Sequence, residues 1–179
     1  MINVEAASIN KGDDSLKVSK KGLDLVKKWE GFYTNAYLCP ANVWTIGWGT
    51  TKWNGNKSVR PGDKITREQA EPLLAQQLDE HASQIFKYIK VELNQNQYDA
   101  LVSFHYNLGR HILSKDAKLV GYINSKQWDK AANQILKYNR ANGKVLKGLQ
   151  NRRNDEVKLF LTPVKGVDKQ VQFTNSRLK

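Results

Sequence analysis

The chain of 179 residues has a single cysteine, Cys39, so it can close no disulfide within itself and needs no oxidising compartment to fold. Its three histidines, His81, His105 and His111, are scattered and form no cysteine–histidine cluster with metal-ligand spacing, so neither a metal nor a cofactor is expected. No apolar run approaches the ~20 residues that span a bilayer. Residues Met1 to Lys20 are polar throughout and lack the hydrophobic segment of a secretory signal. Acidic residues are also scarce: 17 stand against 29 basic ones, for a formal net charge of +12. That excess implies a polyanionic partner, which can be nucleic acid, an anionic membrane surface or an acidic cell-wall polymer. The basic residues are spread along the chain, so charge alone does not choose among the three.

A chain this long buries a proper core, and its patterning divides it in two. Residues 1–18 read as a polar arm. Ser19 is placed to cap a helix over about 20–30 with Leu23, Val26 and Trp29 on its apolar face, and Gly31 stops it. From 36 to 53 the Val, Trp, Thr and Ile content predicts strands around a Pro40-Ala41-Asn42 turn. Everything after Ile65 is helical in pattern. Thr66-Arg67-Glu68-Gln69 is a capping box opening a long helix to about residue 90, in which Pro72 should force a kink or a later start. Asn94 and Gln97 open the next helix, stopped by Gly109, and others are expected at about 114–124, 126–137 and 148–161. Pro163 then ends the pattern, leaving a polar, basic tail over 163–179. The fold class is thus α+β and mainly helical: a small N-terminal α/β lobe and a helical C-terminal lobe, joined by a long helix, with a cleft between them.

The chemistry concentrates at the junction of helix and strands. Glu30 ends the first helix beside Trp29 and runs into Gly31-Phe32 and a tryptophan-rich hairpin. Desolvation there and the negative end of the helix dipole both favour a carboxyl that keeps its proton, ready for a leaving oxygen. Cys39 and Thr45 flank the turn, so the two arms of one hairpin bring them close. A proton donor on one side, and polar groups holding water at an anomeric carbon on the other, is the arrangement of an inverting glycosidase. Taken singly, a lone cysteine is usually packing and a strand threonine usually satisfies β-propensity. Tyr37, Trp44 and Trp48 are candidates to stack on sugar rings or to pack the sheet.

Glu-Gly-Phe, then Ala-Tyr-Leu-Cys-Pro, then Trp-Thr-Ile-Gly-Trp-Gly resembles the active-site signature of the phage-type lysozymes, glycoside hydrolase family 24, found as phage endolysins. In that family a glutamate is followed nine residues on by aspartate or cysteine and six further by threonine, the spacing of Glu30, Cys39 and Thr45. The resemblance continues through residues 65–71, through Asp99 to Phe104 and Asn107-Leu108-Gly109, and through Gly148-Leu149, Arg152-Arg153 and Glu156. It covers roughly 19–162, which marks that span as a lysozyme-like catalytic domain.

The resemblance implies a muramidase that hydrolyses the β-1,4 bond between N-acetylmuramic acid and N-acetylglucosamine in peptidoglycan. By position, Glu30 is the general acid, Cys39 holds the Asp/Cys site and Thr45 holds the attacking water. Tyr37, Asn107 and Arg152 are the substrate-binding candidates; Arg152 either reaches Glu30 or forms, with Arg153, a solvated basic helix face. A thiol that is mostly neutral at pH 7 is a weaker base than a carboxylate, which makes Cys39 the unusual member. Peptidoglycan, not nucleic acid, is then the anionic partner, and the basic tail is placed to touch outer-membrane lipids. The resemblance further implies a monomeric endolysin held in the host cytoplasm until a holin opens the membrane, after which it acts on the wall. Two rivals stay open here: a lytic transglycosylase, whose product is an anhydro sugar, and a cationic envelope- or nucleic-acid-binding protein without activity.

Overall fold

The computed structural model describes residues 16–164. The polar arm over 1–18 and the basic tail over 163–179 lie almost wholly outside them. Helix α1 (Lys20–Glu30) is followed by an antiparallel hairpin of β1 (Tyr33–Leu38) and β2 (Trp44–Gly47), and by a second small hairpin of β3 (Lys52–Trp53) and β4 (Lys57–Ser58). The long α2 (Arg67–Ile85) leads into α3 (Gln95–Leu108), α4 (Ile112–Lys115), α5 (Ala117–Asn124) and α6 (Trp128–Leu136). A third hairpin, β5 (Arg140–Ala141) and β6 (Lys144–Val145), precedes α7 (Lys147–Phe160). The mainly helical α+β class is therefore as expected.

Several local expectations need correction. Ser19 stands at the N-cap of α1, but its side chain caps nothing; its hydroxyl donates instead to Asp99 on α3. That tie fastens α1 to the helical lobe, and α1 packs against α3 and α7 rather than joining the strands. Gly22 makes the approach possible, since a Cβ there would lie 2.8 Å from the Asp99 carboxyl. Pro72 does not move the start of α2, because the Thr66–Gln69 capping box fixes it one turn upstream. Pro72 and Glu68 are both exposed, so the carbonyl deprived of a helical donor faces water. The helix ends at Ile85 rather than 90, its last turns tightened by Tyr88 and Ile89 amides donating to the Ile85 carbonyl. Ile85 and Ile89 remain on the buried face.

The strand pair β5–β6 was not expected in a region of helical pattern. Asn142 and Gly143 carry it, with φ of 52° and 76°, the left-handed pair that a two-residue hairpin turn demands.

The centre of the molecule is α3, packed against α1, α2, α4 and α7. Every residue from Asn96 to His105 is buried, so this helix has no solvent face over ten residues. Over that stretch its polar groups are satisfied from another element or by a cap, except His105 Nε2, which is buried without a partner. Asn96 donates to the Thr162 carbonyl at 2.9 Å, Gln97 completes the capping box with Asn94, Asp99 accepts from Ser19, and Ser103 donates to Glu156 at 2.6 Å. Around them Val26, Leu74, Leu101, Phe104, Leu119 and Ile135 form the apolar core. The tip of the β1–β2 hairpin is open to solvent, with Leu38 and Val43 exposed.

Candidate active site

Glu30 is the last residue of α1, and Gly31 terminates the helix with φ of 71°. Its side chain is one-fifth exposed, and Oε2 accepts from Arg152 Nη1 at 2.6 Å. Arg152, on α7, is 4% exposed. The tryptophan-rich wall expected around Glu30 is not what its carboxyl meets. Trp29 turns away to donate from Nε1 to Asp155 at 2.9 Å, and Trp48 is buried with its ring 4.8 Å from Phe32. Trp48 is thus core rather than a sugar platform. The neighbours of Glu30 are a guanidinium, the Tyr106 phenol and the backbone of Gly49.

Gly49 and Tyr106 are the residues that sequence reasoning missed. A Cβ at Gly49 would lie 2.9 Å from Glu30 Oε1 and 3.0 Å from Tyr106 Oη, and its φ of 84° also favours glycine. The strand side thus reaches the end of α1 only because that position has no side chain. Tyr106 donates to the Trp48 carbonyl at 2.9 Å, tying α3 to the strand side. Burial pushes its phenol well above the ordinary tyrosine range, and the Glu30 charge adds to the shift. Ser103, Tyr106 and Asn107 share one face of α3 at i, i+3 and i+4 spacing, which was the available signal.

A cavity of about 1030 Å³ opens beside Glu30, between the β3–β4 hairpin and α2. Glu30, Gly49, Tyr106 and Asn107 line it, together with Trp53 and Gln77. The Asn107 Oδ1 is buried without a hydrogen-bond partner, an acceptor left over at the edge of this space. Gln77 is held by the Lys52 carbonyl and the Thr50 hydroxyl, which pins the hairpin to α2.

The other predicted residues lie on β1–β2, outside the lining of that cavity. Tyr37 pairs with Thr45 across the strands and Leu38 with Trp44, so Cys39 begins the turn. The turn is closed by the Cys39 amide donating to Val43 at 3.0 Å and the Asn42 amide donating to Cys39 at 2.8 Å, with Asn42 at φ 62°. Cys39 is half-buried. The amides of Val43 and then Ala41 hold its thiol below the ordinary cysteine range, and the Thr45 hydroxyl acts in the same direction. Thr45 is buried, and its hydroxyl donates to the Val43 carbonyl at 3.0 Å. Tyr37 links the two parts. Burial raises its phenol first, then the charge of Tyr33, whose ring is 4.1 Å away, and then those of Glu30 and Cys39. Tyr37 therefore stands within electrostatic reach of both Glu30 and Cys39.

Beneath Arg152 lies a closed ionic cluster. Arg152 Nε contacts Glu156 Oε2 at 3.3 Å, and its Nη2 reaches the Ser103 carbonyl and hydroxyl at 3.3 Å each. Arg153 and Glu156 are both fully buried. The arginine that holds Glu30 is therefore itself held from behind.

Residues 27–156 match the family model described as phage lysozyme. The chain is 39% identical over 166 residues to an endolysin of Bacillus phage B103, an alignment that covers 92% of this chain and 60% of that one. Among solved structures it is similar to the endolysin from Escherichia coli O157:H7 phage FAHEc1, with TM-score 0.75 and 36% identity over 84% of this chain and 96% of that one. It is similar also to the muramidase domain of SpmX from Asticaccaulis excentricus, with TM-score 0.73 and 32% identity over 83% and 99% of the two chains. A match of that extent, on a chain whose Glu30 and Arg152 meet at 2.6 Å beside a cleft, places it by descent: the chain belongs to the phage lysozyme family.

Proposed function

We propose that the protein is an endolysin muramidase that hydrolyses the β-1,4 bond between N-acetylmuramic acid and N-acetylglucosamine in bacterial peptidoglycan, and that residues 19–162 form its catalytic unit. The observation that carries this reading is the Glu30–Arg152 pair, at 2.6 Å, facing a 1030 Å³ cavity. A glycan strand lies in that cavity with its glycosidic oxygen at Glu30. Glu30 gives its proton to that oxygen as the bond to the anomeric carbon breaks, and a water adds to the carbon from the opposite face. Thr45 accepts a hydrogen bond from this water, and the Cys39 thiolate, favoured by the turn amides, takes the proton the water loses. Arg152 keeps the carboxyl aimed, and Asn107 offers its unpaired Oδ1 to a sugar hydroxyl or amide. Tyr37 flanks the reacting sugar.

The +12 charge suits an anionic wall, and we extend the reading to a monomeric enzyme whose basic tail touches anionic outer-membrane lipids. Release to the wall is through a holin pore; lysis of cells that express the chain without a holin would count against that route. Clearing of purified peptidoglycan, with mass spectrometry of the products, tests the enzyme reading. Wild type is expected to release fragments with free reducing ends, and Glu30→Gln to lose activity by roughly a thousandfold while still binding the wall. Equal clearing by both, or anhydro-muramic ends in place of reducing ends, overturns it.

A further inference from the structure

Glu156 is the least accessible carboxylate of the site, and nothing in the proton transfer uses it. It lies fully buried on α7, one turn beyond Arg152. Its surroundings are all donors. Oε2 accepts from Ser103 Oγ at 2.6 Å, from Arg153 Nη2 at 3.1 Å and from Arg152 Nε at 3.3 Å. Oε1 lies 2.6 Å from Arg153 Nε, a contact off the hydrogen-bond line that is held by charge rather than by a directed bond. Burial pushes this carboxyl up, while the two guanidiniums and the Ser103 hydroxyl pull the other way. A group that meets only donors is an ionised acceptor.

Counted as charges, Glu30 and Glu156 are two negatives, and Arg152 and Arg153 two positives. The four balance, and Arg152 is shared between both carboxylates. Arg153 is close enough to feel the Glu30 charge as well. The other groups around Glu30 add little that can replace this balance. Tyr106 on α3 and Tyr37 on β1 are neutral phenols, both raised. On its own helix, Lys27 is engaged by Glu71 and Lys28 by Asp155.

We propose that Glu156 is a positioning and charge-balancing residue for Glu30: seated by Ser103 beneath Arg152 and Arg153, it fixes where the Arg152 guanidinium sits and how much positive charge that guanidinium presents to the acid. The inference rests on Glu30 being the proton donor. With Glu156 ionised, Arg152 is partly neutralised from behind and presents less positive charge to Glu30 than an uncompensated guanidinium would. Without it the cluster carries one extra positive charge in a dry site, where charge acts over a longer range than in water.

The test is the pH–rate profile of the full chain on peptidoglycan, with kcat and KM measured separately and melting followed for each variant. The alkaline limb reports proton loss from the acid. Glu156→Gln is expected to lower kcat roughly tenfold at neutral pH, to leave KM within about twofold, and to move the alkaline limb about one pH unit toward acid. Arg153→Met removes a positive charge and is expected to move the same limb toward alkali. The double variant restores the charge count and is expected to return the limb to its wild-type place. If Glu156→Gln does not fold, the alkaline shift in Arg153→Met decides. A limb that stays at its wild-type position in every variant that folds, with or without a uniform loss of rate, overturns the proposal. Retention of activity by Glu30→Gln would instead break the reading on which it rests, so the two failures are told apart.

Discussion

The two halves of the site are built to opposite standards. On the helical side, Glu30 is held by a 4%-exposed arginine, which is held in turn by the fully buried Ser103 and Glu156. On the strand side, Cys39 sits half-buried at a turn whose two neighbours Leu38 and Val43 are exposed, and its only direct supports are backbone amides and one hydroxyl. The contrast is physical. Aiming a proton donor at one atom requires side chains without freedom, and buried helices provide that. Favouring a thiolate requires only donors pointing at one spot, which the amides of a tight turn supply whatever the side chain. On the proposed reading, stability and catalysis are coupled on the helical side and separable on the strand side.

The largest expected effect falls on the helical side. Arg152→Met leaves Glu156 and Glu30 short of a partner, and should cost about 3–5 kcal/mol of stability together with most of the activity. Denaturant melts and clearing assays measure both, and a fully stable but inactive variant would break the proposed coupling. Next comes acid. His105 is buried with Nδ1 2.9 Å from Nδ1 of His81, and burial first, then His81, pulls its ionisation down to about 4. His81, which borders the cavity, is lowered too, chiefly by burial. Because the unfolded chain binds the proton near 6.5 and the fold does not, stability rises with pH between about 4 and 6.5 and falls on acidification. Lowering the pH from 7 to 4 should cost on the order of 3 kcal/mol through His105. A His105→Asn variant should show a flatter melting profile across that window; an unchanged profile would mean the pair does not titrate with folding. The smallest effect on stability belongs to the strand side. Cys39→Ala should reduce clearing by roughly 10–100-fold while melting within about 0.5 kcal/mol of wild type, and Cys39→Asp should keep most of the rate. Equal loss in both would remove Cys39 from the chemistry, and a large drop in melting would erase the difference between the two sides.

Much of this was legible before any coordinates. Glu30 at a helix end, the Cys39 and Thr45 spacing, the capping box at Thr66 and the Asn94–Gln97 pair are all local patterns, and each appears where it was expected. The Arg152 contact to Glu30, across 122 residues of separation, was one of the two readings that arginine allowed. Other features left little trace. Tyr106 reads as one more aromatic on a helix, and Gly49 as one more glycine in a turn; only their meeting at Glu30 gives them meaning. The β5–β6 hairpin had its Asn142-Gly143 signal, but short strands bury too little to show a period of their own. Ser19 carried a capping signature that a stronger acceptor, the buried Asp99, overrode.

Local chemistry in the sequence marked the capped starts of α2 and α3 and the glycine stop of α1, the carboxyl proposed to donate a proton, and the need for a polyanionic partner. These depend on neighbours a few positions apart, and such contacts exist in any fold. The tertiary structure alone decided that α3 runs buried through the centre despite its Asn, Gln, Asp, Ser and His, because Asn96, Asp99, Ser103 and His105 Nδ1 find partners on other elements while Gln97 closes the helix's own cap. It also decided that a carboxyl expected against a tryptophan wall would lie beside the Tyr106 phenol and the Gly49 backbone instead. Desolvation and pairing of charge depend on what packs against a group, and that is settled only when distant segments meet.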